Sequence, residues 1–171
     1  MQHLCVETAQ FPQNVYSDSL VNGRKYNPKV GFGVLDAAIF VEKAKTWPLV
    51  KPQVWMEPPY VQFEGGAVND RKKVTGGERL VDGNTAEGEV IVTERMVREA
   101  NFDKIEHIQV RVWVEHEKRG DIEVTLFNPK KIVCALATKR PRDTDTSGLM
   151  GWTFTTVKHW YVLVCFIYPE S

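Results

Sequence analysis

The chain has 171 residues, of which 26% are charged and 43% hydrophobic, and its 22 basic side chains are matched by 22 acidic ones. That balance leaves no net field to draw the chain to nucleic acid or to an anionic membrane surface. The length suits one domain, or one domain with an extra piece, and no apolar run approaches the roughly 20 residues of a membrane-spanning helix.

Met1 is followed by Gln-His-Leu-Cys-Val-Glu-Thr, without the basic and apolar regions of a signal peptide, so the compartment of this chain stays unknown from sequence. Cys5, Cys134 and Cys165 are far apart and odd in number, which defines no disulfide framework. Each sits among apolar residues and reads as a small buried hydrophobe. The basic runs Arg71-Lys72-Lys73 and Lys139-Arg140-Pro141-Arg142 read as solvated loops.

Residues 2–9 have no capping residue ahead of them and read as the tail of a helix. Residues 11–29 are rich in Asn, Ser, Pro and Gly and read as loop. Ala37, Phe40, Val41, Ala44 and Trp47 recur at three- and four-residue steps, which predicts a helix with one apolar face. Asp36 is placed to cap its start and Pro48 to end it. Gly31-x-Gly33 precedes that helix, but with no third glycine and no apolar strand before it, a phosphate cradle is a weaker reading than close backbone packing. Pro48, Pro52, Pro58 and Pro59 mark an extended linker, with a boundary placed near Pro48. Residues 65–88 read as a polar surface segment, 89–93 as a short strand and 94–100 as a single helical turn.

The clearest pattern lies further on. Ile108, Val110, Val112 and Val114 alternate with Gln109 and Arg111, as a half-buried strand requires. A charged link follows over residues 115–121. Alternation then resumes with Ile122, Val124 and Leu126 until Asn128-Pro129 stops it. Arg111 and Glu123 are expected to face each other across that hairpin. Residues 132–137 predict another strand, 141–151 a loop, and 152–157 a last strand whose Trp152 and Phe154 share a face and supply late core. Tyr161 to Tyr168 is apolar without alternation, an aggregation hazard at a terminus.

Asn101-Phe102-Asp103-Lys104-Ile105-Glu106-His107 through Val114, Arg119-Gly120-Asp121-Ile122-Glu123-Val124 and Arg140-Pro141-Arg142-Asp143 together resemble the P (Homo B) domain of kexin-like proprotein convertases, as do Gly151-Trp152-Thr153-Phe154 and His159-Trp160. Residues 2–9 and Gly31-Phe32-Gly33-Val34-Leu35-Asp36-Ala37 resemble the end of the adjoining subtilisin-like catalytic domain. The resemblance implies a mainly β fold. It would be an antiparallel, jelly-roll-like β-sandwich over 49–160, with a short helical remnant of the α/β catalytic domain over 1–48 and an atypical apolar tail over 161–171. It also implies a family activity, calcium-dependent cleavage of secretory precursors after paired basic residues, in proteins of the secretory pathway and Golgi membrane. The catalytic domain would be the partner, precursor proteins would be reached only through it, and calcium is expected for the full-length family.

A serine hydrolase needs a base to activate its Ser and an acid to orient that base. The family carries these in Asp-Asp-Gly, His-Gly-Thr and Gly-Thr-Ser motifs, and none of the three occurs here. No catalytic, cofactor-binding or metal residue is therefore assigned. Val30 stands where the family has Tyr, Asn128-Pro129-Lys130-Lys131-Ile132 replaces a Ser-Pro-x-Gly-Thr turn, and the pattern after Trp160 is unrelated. These departures predict a fragment whose sandwich lacks its closing strand.

Three motifs invite sharper readings. Arg119-Gly120-Asp121 could serve adhesion, but a β-turn with Gly at positive φ is the plainer expectation. Asp145-Thr146-Ser147-Gly148 lacks the second copy that an aspartic-protease dyad needs, and reads as a polar loop. His107, His116 and Glu115–Glu117 have no metal-ligand spacing. The function expected is an accessory region of a convertase, inactive alone. The alternatives are a stand-alone binding module that uses the sheet face or the Arg119-Gly120-Asp121 turn, and hydrolysis through residues without a recognised motif.

Overall fold

The computed structural model describes residues 1–21, 23–77, 85–128, 132–156 and 158. Helix α1 (Gln2–Thr8) ends where Ala9 turns extended, and the Thr8 hydroxyl donates to the Leu4 carbonyl at 2.8 Å. Strand β1 (Ala9–Gln10) pairs antiparallel with β4 (Val34–Leu35). Between them β2 (Ser19–Val21) and β3 (Arg24–Tyr26) form a hairpin in a segment expected to be loop. Its apolar residues are few, but they converge. Val21 is 1% exposed and Tyr26 is buried beside it, with the Phe32 ring edge-on to Tyr26 at 5.2 Å.

Gly33 explains how β4 reaches β1. Its φ is +123°, and a Cβ there would lie 2.3 Å from the Gln10 carbonyl oxygen, so close backbone approach is the requirement, as expected. Gly31 has open space around it, and its need is conformational instead. Its φ is +60° in the turn closed by Asn27 and Gly31.

Helix α2 (Ala37–Ala44) starts as the sequence predicts, with the Asp36 carboxylate accepting from the Ile39 amide at 3.0 Å. It stops before Trp47. The Lys45, Thr46 and Trp47 amides reach back only three residues, a tightening that unwinds the last turn ahead of Pro48. Its expected apolar face is not buried: Val41 is 58% exposed and no residue of α2 falls in the core.

Residues 65–77 hold a small hairpin, β5 (Ala67–Val68) with β6 (Val74–Thr75), where an unstructured polar segment was expected. Asn69 organises its tip, accepting through Oδ1 from the Arg71 and Lys73 amides at 3.0 Å each. The strand expected over 89–93 does not form; Val90 and Ile91 lie exposed without a ladder partner among the described residues. Helix α3 (Glu94–Glu99) is the expected single turn, capped by the Thr93 hydroxyl.

Strand β7 (Gln109–Val114) keeps the predicted alternation but not the predicted partner. It pairs with β10 (Leu149–Thr155), whereas β8 (Val124–Phe127) pairs with β9 (Val133–Ala137). Arg111 therefore faces Thr153, donating from Nε to its hydroxyl at 3.0 Å, and not Glu123. Local sequence could not separate these pairings, because alternation fixes a strand's faces and says nothing of its neighbour. Strand β10 also begins inside the expected loop. Leu149, 0% exposed, is its anchor, and a bulge at Gly151 (φ +73°) shifts the register between Met150 and Trp152. Past the bulge Trp152 is 46% exposed, so Leu149 supplies the buried apolar anchor expected of Trp152.

The mainly β, antiparallel expectation holds, as five strand pairs among the described residues. The turn at Pro129-Lys130-Lys131, Val157, His159-Trp160 and the tail 161–171 lie outside the described residues. Asp36→Ala should cost about 1 kcal/mol through the lost cap. Gly33→Ala should cost more, roughly 1–3 kcal/mol or above, because its Cβ meets backbone. Urea unfolding of both variants checks the order.

Candidate functional site

Two constellations tie distant parts of the chain together. The first is a seam between the N-terminal elements and the later strands. Lys158 is 7% exposed, and its ammonium donates to the Val133 carbonyl on β9 at 2.8 Å and to Asp18 Oδ2 at 3.3 Å. The same ammonium lies 5.6 Å from the centre of the Tyr26 ring on β3. Burial, followed by the nearby Cys134 and Asp18, raises the Tyr26 phenol above its ordinary pKa. Burial likewise raises the Cys134 thiol, with Lys158 opposing, so this cysteine is a protonated packing group and not a poised nucleophile. At the other end of the seam the buried His3 ring meets the Glu106 carboxylate through Nε2.

The second constellation holds the segment from 118 to 148. Arg119 donates from Nε and Nη2 to the two oxygens of Asp143 at 2.9 and 2.8 Å, a bidentate pair, and its guanidinium lies 5.0 Å from the centre of the Trp152 ring. Backbone bonds reinforce it. The Arg119 amide donates to the Asp145 carbonyl, the Gly120 amide to the Asp143 carbonyl, and the Arg140 amide to the Gly120 carbonyl, at 2.8, 3.0 and 2.8 Å. Arg140 adds a bond from Nη2 to the Arg119 carbonyl at 3.0 Å. The hydrogen bond from Arg119 holds the Asp143 carboxyl below its usual range, and bonds from Ser147 do the same for Asp145.

This clasp revises several expectations. Arg119-Gly120-Asp121 is a 3₁₀ turn and not a β-turn, and its glycine is needed for space and not for positive φ. A Cβ on Gly120 would lie 2.1 Å from the Arg140 carbonyl oxygen. Arg140 is structural, whereas Lys139 and Arg142 stay exposed, as do Arg71, Lys72 and Lys73. Asp145-Thr146-Ser147 is the expected polar loop, closed by the Ser147 amide on Asp145 Oδ1 at 2.7 Å. His107 Nδ1 faces the Thr156 carbonyl at 2.8 Å, and His116 Nδ1 accepts from the Lys118 amide at 3.0 Å. Among the described residues no group of three or more His, Cys, Asp or Glu side chains is placed to hold a metal ion. Cys5 is half-buried and Cys165 lies outside the described residues.

Lys158 and Asp18 had no sequence signal, since a lone Lys after a strand and an Asp in a polar run look solvated. The β2–β3 hairpin did have one. Asn22-Gly23 between Val21 and Arg24 is the dipeptide that tight hairpins favour, and Gly23 has φ +79°.

Residues 105–163 match the family model of the proprotein convertase P-domain. The chain carries a kexin-like proprotein convertase P domain. The dibasic-processing endoprotease of Schizosaccharomyces pombe is 36% identical over 166 residues, covering 94% of this chain and 22% of that protein. Kexin of Saccharomyces cerevisiae is 34% identical over 138 residues, 81% of this chain and 16% of kexin. Human neuroendocrine convertase 2 is 30% identical over 168 residues, 94% of this chain and 24% of the convertase. The chain thus spans about a fifth of the length of these relatives. Strands β7 to β10 and the whole clasp fall inside the P-domain match, whereas Asp18 and Tyr26 lie ahead of it, so the seam fastens the P domain to what precedes it. No helix among the described residues is long and apolar enough to cross a membrane.

Two outcomes are expected from the geometry. Asp18 is half-exposed while Lys158 is buried, so removing the carboxylate strands a buried ammonium, whereas Lys158→Met removes the charge and keeps the volume. Asp18→Asn should cost roughly 1–3 kcal/mol, more than Lys158→Met, and should cost little on a Lys158→Met background; a double-mutant cycle in urea checks it. Because the folded Asp143 pKa lies below the unfolded value of about 3.9, its contribution is present above that pH and is lost as pH falls through the folded pKa. Asp143→Asn should be less stable at neutral pH and should converge on wild type in acid, as read by urea midpoints across that window.

Proposed function

We propose that this chain is the accessory, stabilising region of a kexin-like calcium-dependent serine endopeptidase, and that it is inactive without a catalytic domain. The observation that carries this reading is the seam. Lys158 and Glu106, at the two ends of the P-domain strands, both reach into the N-terminal elements, joining them by buried polar contacts. Residues 1–48 act in this reading as the end of the subtilisin-like catalytic domain and residues 49–160 as the P domain, with the boundary at Pro48. Similarity to the relatives over 94% of the chain supports treating both parts as one inherited unit. The whole protein would process secretory precursors after paired basic residues, in the secretory pathway and with calcium. The P domain would act on precursors only through its catalytic partner.

The exposed apolar residues Val34, Leu35, Ile39 and Val41 on β4 and α2 also support this role, since they form the surface that further catalytic-domain structure would cover. The adhesion reading of Arg119-Gly120-Asp121 gains no support, because Arg119 is committed to Asp143 and Gly120 is buried.

The test is a chimera in which this chain replaces the corresponding region of the S. pombe endoprotease. Cleavage of a fluorogenic dibasic peptide with calcium should be retained by the chimera and absent from the isolated chain. Introducing Asp18→Asn should lower the chimera's thermal inactivation midpoint. Turnover by the isolated chain that survives repurification, or a chimera indifferent to the seam, would contradict the proposal.

A further inference from the structure

Adjacent basic residues occur at five places in the chain: Arg24-Lys25, Arg71-Lys72-Lys73, Lys118-Arg119, Lys130-Lys131 and Lys139-Arg140. An endoprotease that recognises such pairs must draw two cationic side chains into its own acidic pockets with the backbone extended, so accessibility decides which places can be cut. Lys130-Lys131 lies outside the described residues. Arg24 is in β3 and paired with Glu7, and Lys25 stands over the Phe11 ring. Lys118 bonds Asp121 at 3.0 Å, and Arg119 is held by Asp143 and Trp152. Arg140 is tied to the Thr138 and Arg119 carbonyls, and Pro141 follows it, whose ring restricts the backbone at the bond to be cut.

Arg71, Lys72 and Lys73 are different. All three are exposed at the tip of β5–β6, and their side chains make no hydrogen bond or ion pair with the described residues. They line an open groove of about 730 Å³ together with Glu115, Glu117 and Ser147. The hairpin under them has only two register pairs, Ala67 with Thr75 and Val68 with Val74, and none of these four is buried. Lys72 has φ +60°, so the closed tip does not fit a protease cleft as it stands. A hairpin of that size, with no buried face, opens at small cost, and exposed tips of this kind are where chains are nicked.

We propose that Arg71-Lys72-Lys73 is a proteolytic processing site, cut by an endoprotease specific for paired basic residues when the β5–β6 hairpin opens. Water adds across the peptide bond after Lys73, leaving a carboxylate on Lys73 and a new amino terminus at Val74. The chain acts here as substrate, so the proposal does not depend on its accessory role, and either can fail alone.

The test exposes the folded chain to purified S. pombe dibasic-processing endoprotease with calcium and maps the first cut by mass spectrometry, beside a urea-unfolded aliquot returned to buffer as protease is added. The expected first cut lies within residues 71–74. The triple variant Arg71→Gln, Lys72→Gln, Lys73→Gln, checked for unchanged circular dichroism, should lose that fragment and survive about tenfold longer or more. A first cut at another basic pair, a triple variant cut as fast as wild type, or a folded chain that survives protease that digests the unfolded aliquot would overturn it.

Discussion

A buried ammonium sets the terms for the rest of the structure. Lys158 is one of the least exposed residues described, and a cation in such a place is tolerated only where acceptors are already fixed to receive it. Those acceptors come from far apart in sequence: a carboxylate in the loop before β2, a ring on β3 and a carbonyl on β9. Holding all three at once requires the N-terminal hairpin and the β8–β9 pair to keep one relative position. Val21, Tyr26 and Phe32 give the hairpin the small apolar core that keeps Tyr26 in place, and Gly33 lets β4 close against β1 beside it.

The Arg119–Asp143 clasp solves a different problem. Strands β7 and β10 pair across a long sequence gap, and β8 and β9 form a separate pair, so something must fix the crossing chain between them. A bidentate guanidinium–carboxylate bond does so with directional precision, and the backbone bonds around Gly120 leave no room for a side chain there. The tripeptide that looks like an adhesion signal is thus explained by packing, and the P-domain match places it within the family's own framework.

What sequence revealed followed what is local. Alternation located β7 and β8, an apolar run located β9, and Asp36 announced the start of α2, which formed where expected. Pairing partners were not local, so the expected β7–β8 hairpin and its Arg111–Glu123 contact were misplaced. Strand β10 was cut short in expectation because Gly148 and Gly151 look like loop residues. In the structure Gly151 carries a bulge, and a Cβ on Gly148 would lie 2.1 Å from the Val114 carbonyl oxygen, so both glycines serve the strand. The seam was illegible for a further reason. A lysine and an aspartate look solvated until a fold brings them together, and the Asn-Gly signal that would have revealed the hairpin lay inside a stretch of polar residues. The motifs quoted for the family were legible throughout, because they combine several such local constraints in order.

If the seam governs the structure, the N-terminal elements and the P-domain strands open as one unit. Native-state hydrogen exchange tests this most directly, comparing the Asp18 amide, bonded to Tyr26, with the Thr156 amide, bonded to Ile108, in wild type and in Asp18→Asn. The predicted result is a similar opening free energy for both amides in wild type and a matched fall in the variant. Loss of protection confined to the N-terminal hairpin, with the Thr156 amide unchanged, would contradict it.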